Sequence, residues 1–416
     1  MPGKGGRQGG LRRRRILVTA GAAAVAVVAA GALTAVALGG DGEPAKRKPK
    51  QTAAAAPPAW TAALGSRLKR GTGLRYNGTL TLTGGSVRAR LQVSPSGSAT
   101  GRLVAGALAA DVVAVDGTTY IKAGLAFWRA FAAEVPHPEY YAGRWSKAPV
   151  SVPGFDVPGV LGPESIAKAL AKASGTPPTE DAGGVRAYRV RTPAADYLVS
   201  AAAPYRLLAV RPAGQNAPDF TAAPVAAPAT MFAELRPRVA ALGGAADPGV
   251  RFRPGTLTFS DCDQNTNGCT VRLPATLTAP SGAVPDGARA ALRASISSRG
   301  KPLGSCGASK PVGADRSVLL DCTVKSRLWR TWMKNALDNP GSYPYEASAR
   351  VVGEALTVAD VPKLLARVDR ERKALLTPKS ATPGPSATGG TGGTQGPSAK
   401  RTEGAEAATS QPPGRP

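Results

Sequence analysis

The chain has 416 residues, 53 Lys and Arg against 27 Asp and Glu, a formal charge of +26 and a single histidine. That length supports two or three domains, and one histidine excludes a His-rich metal cluster. The basic residues are spread along strands and tails, which describes a solvated basic surface rather than a nucleic-acid site; anionic lipid head groups and wall polymers are the acidic partners such a surface suits.

Residues 1–15 are a basic tail, and Arg12–Arg15 stand directly before the uncharged run Ile16–Leu38. As a helix, those 23 residues are long enough to cross the membrane, whose hydrocarbon core is about 30 Å thick. Positive residues stay on the cytoplasmic side, so the run predicts a single-pass membrane anchor with the bulk of the chain extracytoplasmic. A signal peptide cleaved at Ala35-Val36-Ala37 and a twin-arginine signal at Arg13-Arg14 are the two other readings, and both also export the protein. No cysteine lies near this run, which excludes a lipid-modified N-terminus. Residues 39–65 begin charged and Pro-rich and read as a linker.

From about residue 66 the pattern becomes alternation. Leu74, Tyr76, Leu80 and Leu82 share one face, as do Val87, Ala89, Leu91 and Val93 after the Gly84-Gly85 turn. Further strands are predicted at Ser98–Val104, Ala107–Val115 and Thr118–Ala123. Five such runs predict an antiparallel meander with one apolar face. Helices at Gly124–Ala133 and Glu164–Ala173 would cover it, and strands resume at Val185–Arg191, Asp196–Ala201 and Tyr205–Arg211.

Residues 214–248 read as a second linker with a short helix at Met231–Leu242. Residues 249–376 carry short strands at Thr256–Phe259, Cys269–Leu273, Ala288–Ser297, Ser317–Val324 and Tyr345–Val352, a pattern that predicts a small β-sandwich. Helices are expected at Ser326–Leu337 and Val358–Leu376, and the Pro/Gly/Ser-rich residues 377–416 read as a disordered tail. All four cysteines fall in this region, so in an exported chain they predict two disulfides, Cys262–Cys269 and Cys306–Cys322.

Catalytic signatures are absent. His137 sits between two prolines, and no nucleophile elbow, P-loop or dinucleotide fingerprint occurs, so no enzyme activity and no cofactor are expected. Asp261, Asp263, Asn265 and Asn267 have the spacing that opens a calcium loop, but Pro274 stands where the closing Glu would be. A hairpin turn needs the same Asx and Gly residues, and a turn is preferred to a metal site.

The pieces Asp116–Lys122 (DGTTYIK), Phe127-Trp128, Gly143-Arg144-Trp145 and Pro204-Tyr205 give residues 66–213 a resemblance to the LolA-like lipoprotein carriers, the actinobacterial LppX/LprA/LprF/LprG type. The resemblance implies a curved antiparallel sheet closed by helices around an apolar cavity for acyl chains. Leu80, Leu82, Leu91, Val93, Leu103, Val113, Ile121, Phe127 and Trp128 would line that cavity, and the small residues Ala89, Ala110 and Ala187 leave room for one. The expected fold is therefore α+β and β: a transmembrane helix, a LolA-like sheet and a disulfide-bearing β-sandwich. The expected function is to bind or pass on a lipid or lipidated envelope component. The alternative is a structural or protein-interaction ectodomain of the cell envelope with no ligand cavity.

Overall fold

Alternation over residues 74–123 produces five consecutive antiparallel strands in the computed structural model, which describes residues 58–173, 176–213 and 220–377. They are β1 (Leu74–Leu82), β2 (Gly85–Val93), β3 (Ala99–Ala105), β4 (Leu108–Val115) and β5 (Thr118–Ala123). β6 (Trp145–Lys147) extends the meander beyond β5. β11 (Phe220–Pro224) pairs with β1 at the other end, followed in space by β10 (Leu207–Pro212), β9 (Ala195–Ser200), β8 (Arg186–Arg191) and β7 (Thr179–Asp181). β11 thus takes residues from the expected second linker.

A helix precedes the meander: α1 (Ala59–Arg70) takes in residues 59–65 of the expected first linker. Trp60, Leu64 and Leu68 recur every four residues and are buried, and Arg67, Lys69 and Arg70 complement the dipole at its last turn. α2 (Leu125–Phe131), α3 (Val157–Leu161) and α4 (Pro163–Leu170) join α1 in covering one face of the sheet.

The opposite face is covered too. α5 (Pro228–Ala240) and the C-terminal α7 (Val361–Leu376) lie against it, burying Met231, Phe232, Leu235, Val239, Leu364 and Val368 with Val113, Val115, Tyr120 and Trp145. At about 1.5–3 kcal/mol for each large apolar side chain buried, this layer is a substantial share of the stability. Polar contacts fix α7 in place. The Glu371 carboxylate accepts from Ser98 Oγ at 3.0 Å and from Ser94 Oγ at 3.2 Å, Asp369 pairs with Arg236 at 2.9 Å, and Arg367 pairs with Asp116.

The remaining strands are β12 (Ala245–Asp247), β13 (Arg251–Pro254), β14 (Thr258–Ser260), β15 (Cys269–Ala279), β16 (Arg289–Ser298), β17 (Lys301–Pro311), β18 (Ser317–Val324) and β19 (Glu346–Leu356), with α6 (Arg327–Asp338) between the last two. β13, β14 and β18 pair with β15 in a four-stranded sheet. Its inner face meets β16, β17 and β19 over a core that includes Val271, Leu273, Leu292, Ile296, Leu320 and Trp329. Cys262 and Cys269 are disulfide-bonded across the β14–β15 turn, and Cys306 and Cys322 link β17 to β18 across the two sheets.

β17, β16 and β19 do not belong to a separate module. β12 pairs antiparallel with β19 and, through Ala246 and Ser146, parallel with β6, so one sheet of 15 strands runs β17-β16-β19-β12-β6-β5-β4-β3-β2-β1-β11-β10-β9-β8-β7. This corrects the expected fold class, a self-contained LolA-like sheet followed by a small β-sandwich. The joining strand has three residues, too few to register as alternation, and α7 returns from the end of the chain to cover the first half. The apolar run 16–38, expected as a transmembrane helix, lies outside the described residues. Among the described residues no helix is long and apolar enough to cross a membrane.

At the joint, Gly353 of β19 pairs with Asp247 and Ala290 on its two sides, and a Cβ there would lie 2.6 Å from Val250 O and 2.7 Å from Asp247 O. Because both neighbours are backbone, Gly353→Ala is expected to cost about 1–3 kcal/mol, read as a lowered urea midpoint. The Cys306–Cys322 disulfide joins residues 16 apart. A loop of that size predicts a loss of about 3 kcal/mol for the Cys306→Ser, Cys322→Ser double variant in the same measurement.

Candidate functional site

Eight of the nine residues expected to line a cavity belong to one buried cluster: Leu80, Leu82, Leu91, Val93, Leu103, Ile121, Phe127 and Trp128. The space opposite the strands is taken up by helical side chains, among them Leu64 and Leu68 of α1, Phe131 of α2, Val160 and Leu161 of α3, and Ile166 and Leu170 of α4. Ala89 and Ala110 lie in the same cluster, and Ala187 is fully buried. Val113 is elsewhere. It points to the opposite face of β4, among the residues of α5 and α7, because neighbouring residues of a strand face opposite ways.

Aromatic side chains do much of the filling. Phe127 and Phe131 lie 4.8 Å apart, Trp128 lies 5.5 Å from Tyr141, and Tyr76 meets Phe220 edge-on at 6.3 Å. Trp128 is fully buried, and its indole N–H meets no acceptor among the described residues. Two tyrosines tie the sheet to α3. Tyr76 Oη donates to Leu161 O at 2.7 Å, and Tyr197 Oη donates to Val160 O at 3.1 Å, satisfying carbonyls at the helix end. Burial pushes the Tyr197 phenol up to about 12, and burial, with Tyr197 nearby, raises Tyr76 well above its ordinary value.

A cleft does open at the rim of this layer. Leu64 and Leu68 of α1, with Leu74, Leu207, Leu208 and Pro224, line an apolar groove of about 460 Å³, with Arg67 and Arg206 beside it.

The second concentration of unusual side chains is aromatic and partly exposed. Ser326 caps α6, its Oγ accepting from Trp329 N at 2.9 Å, and Trp329 is fully buried. Around Trp329 stand Trp332 at 5.3 Å and Tyr345 at 5.6 Å; Trp332 meets Tyr343 at 5.9 Å, and Tyr345 meets Phe259 at 5.2 Å. Phe259 keeps 39% of its surface and Leu328, one turn before Trp332, keeps 57%. Arg327 and Arg330 are exposed beside them and meet no carboxylate among the described residues. The sequence placed the α6 aromatics on a helix but gave no sign that Tyr343 and Tyr345 turn back onto them or that Phe259 joins through Tyr345, since the loop after α6 has no periodicity and Phe259 is 86 residues from Tyr345.

The turn carrying Asp261, Asp263, Asn265 and Asn267 is held by its own groups. Asn265 Nδ2 donates to Asp261 O at 2.7 Å, Asn267 N donates to Asn265 Oδ1 at 2.9 Å, and Trp329 Nε1 donates to Asn265 O at 2.9 Å. Asp261 and Gln264 take left-handed backbone angles of 55° and 54°, which a tight turn requires. No group of three or more potential ligands able to hold a metal occurs among the described residues.

No protein-family model matches the sequence, and no curated protein does. A solved structure that is similar, MucB in complex with MucA(peri), aligns over 65% of this chain and 94% of its own at 13% identity and a TM-score of 0.21. A likeness of that strength carries no weight for fold or function.

The raised tyrosines set an alkaline limit. Unfolded tyrosine ionises near pH 10, whereas Tyr120, Tyr141 and Tyr197 are held protonated to about 12. Their contribution to stability is fully present below the unfolded value and is lost as pH rises through the folded one. The urea midpoint is expected to fall steeply between about pH 10 and 12. The Tyr76→Phe, Tyr197→Phe double variant should show a shallower fall, with about 1–3 kcal/mol already lost at pH 7 because two carbonyls lose their donors.

Proposed function

We propose that the chain is an exported, non-enzymatic protein-interaction module of the cell envelope, which holds its partner on the aromatic face around α6. The observation that carries this reading is the occupied interior: the residues expected to surround an acyl chain are packed against side chains from α1–α4. Two disulfides and the uncharged run at residues 16–38 support an extracytoplasmic location.

The α6 face has the composition of a binding hot spot, with Trp, Tyr and Phe clustered and arginines beside them. Phe259, Leu328 and Trp332 supply apolar area, and Arg327 and Arg330 supply unneutralised positive charge. The fitting partner is a protein segment that combines apolar anchors with acidic residues.

The lipid-binding reading retains one specific support, the apolar groove beside α1 with its two arginines. An acyl chain there would gain about 0.8 kcal/mol for each CH₂ buried.

Organic extraction and photo-cross-linking separate the two. With a photo-reactive residue at position 328 of the full chain in cells, a discrete adduct with one envelope protein is expected. Trp332→Ala should reduce that adduct about tenfold or more, a loss typical of a hot-spot aromatic. Extracts of the purified full chain should hold no stoichiometric lipid. Stoichiometric lipid lost on Leu68→Glu, or an adduct indifferent to Trp332, would reverse the assignment.

A further inference from the structure

The outer face of β16, β17 and β19 carries an arrangement that neither the core nor the aromatic face accounts for. Arg293 of β16 stands directly opposite Arg350 of β19 on one side and Gly307 of β17 on the other. In the next row on that face, Ser295 lies between Ser305 and Ser348. Like charges directly opposite each other destabilise a strand pair, so the fold gains nothing from this placement.

Elsewhere in the same sheet, arginines close to one another have a carboxylate beside them. Arg90 and Arg102 are opposite each other, and Asp111 lies 3.5 Å from Arg102. Arg189 and Arg211 share Glu180. Arg293 and Arg350 have no carboxylate partner among the described residues, and a third arginine, Arg144, converges on them from the segment before β6. Burial, with the charges of Arg293 and Arg350, holds the Arg144 guanidinium below the usual arginine range. The Arg350 guanidinium lies over the Tyr140 ring, 5.5 Å from its centre, which positions it without neutralising it.

These residues line a cleft of about 740 Å³ whose floor consists of small side chains, including Ser295, Ser305, Gly307 and Ser348. Three guanidiniums supply forked N–H donors; Ser295 and Ser348 bond each other at 2.8 Å, which leaves the hydroxyl of one of them, and that of Ser305, to donate as well. A multiply charged oxyanion matches that set, and the volume leaves room for an organic group attached to it.

We infer that the cleft formed by Arg144, Arg293 and Arg350 is a binding site for the phosphate group of a phosphorylated ligand. The anion supplies the missing counter-charge between the facing arginines, while the serine row lies under the remainder of the ligand. This site is distinct in its residues from the α6 face and does not depend on it.

Calorimetric titration of the full chain with inorganic pyrophosphate tests the assignment, with citrate as a carboxylate of comparable charge. Pyrophosphate is expected to bind and citrate to bind at least about tenfold more weakly, while the Arg293→Ser, Arg350→Ser double variant loses about a hundredfold in pyrophosphate affinity. Without ligand, the same variant should melt at or above the wild-type temperature, because the repulsion between facing strands has been removed. Phosphatidylglycerol vesicles that displace pyrophosphate would assign the phosphate to a lipid head group, and vesicles that do not would assign it to a soluble ligand; either outcome is consistent with the site. Equal affinity for citrate, pyrophosphate binding unchanged in the variant, or a variant that melts well below the wild type would each overturn it.

Discussion

Val112 and Ala114 of β4 face one layer of helices, while Val113 and Val115 face another. A strand placed this way has no solvent side, and both of its covers must be present for it to be stable. The first cover comes from α1–α4, close in sequence. The second comes from α5 and α7, and α7 ends some 260 residues beyond β4. The C-terminal helix is therefore part of the first half of the molecule. The chain between β4 and α7 has to leave the sheet and return, and it does so by adding β12, β19, β16 and β17 to the same sheet edge.

That closure explains why a single bridge suffices at the joint. Ala246 and Ser146 form only a minimal parallel contact. The edge is secured by what surrounds it: Gly353 allows β19 to meet the backbone of the β12–β13 turn, Lys147 reaches Asp247 at 3.2 Å, and α5 and α7 cover the adjoining strands. The Cys306–Cys322 disulfide acts farther out, holding the four-stranded sheet to the end of the large one.

The two faces of the first half have become different in chemistry. The α1–α4 side is filled by aromatics and aliphatics, and its tyrosines donate to helix carbonyls, so its polar groups serve the fold. Partly exposed aromatics and uncompensated charge lie instead around the second half, in the rings about α6 and in the arginines of β16 and β19. Trp329 shows how closely the two uses are joined there. Its indole N–H holds the Asp261–Asn267 turn while its ring supports Trp332 and Tyr345 at the surface.

Local order was legible in the residues themselves. Period-two alternation located β1 to β5, the spacing of Val361, Leu364 and Val368 located α7, and the cysteine positions gave both disulfides. These features depend on neighbours a few residues apart, or on a small number of reactive groups. The short strands β6 and β12, the Gly- and Ser-rich β17 and the five-residue β11 carry no such periodicity and form because the strands beside them offer unpaired backbone. Which face each apolar residue meets was also beyond the sequence: Val113 reads like its neighbours in β4, and only the return of α7 gives its side of the sheet a cover. For the same reason one sheet could not be told from two modules. Alternation shows that a strand has a face to bury, but what covers that face is decided by the path of the whole chain.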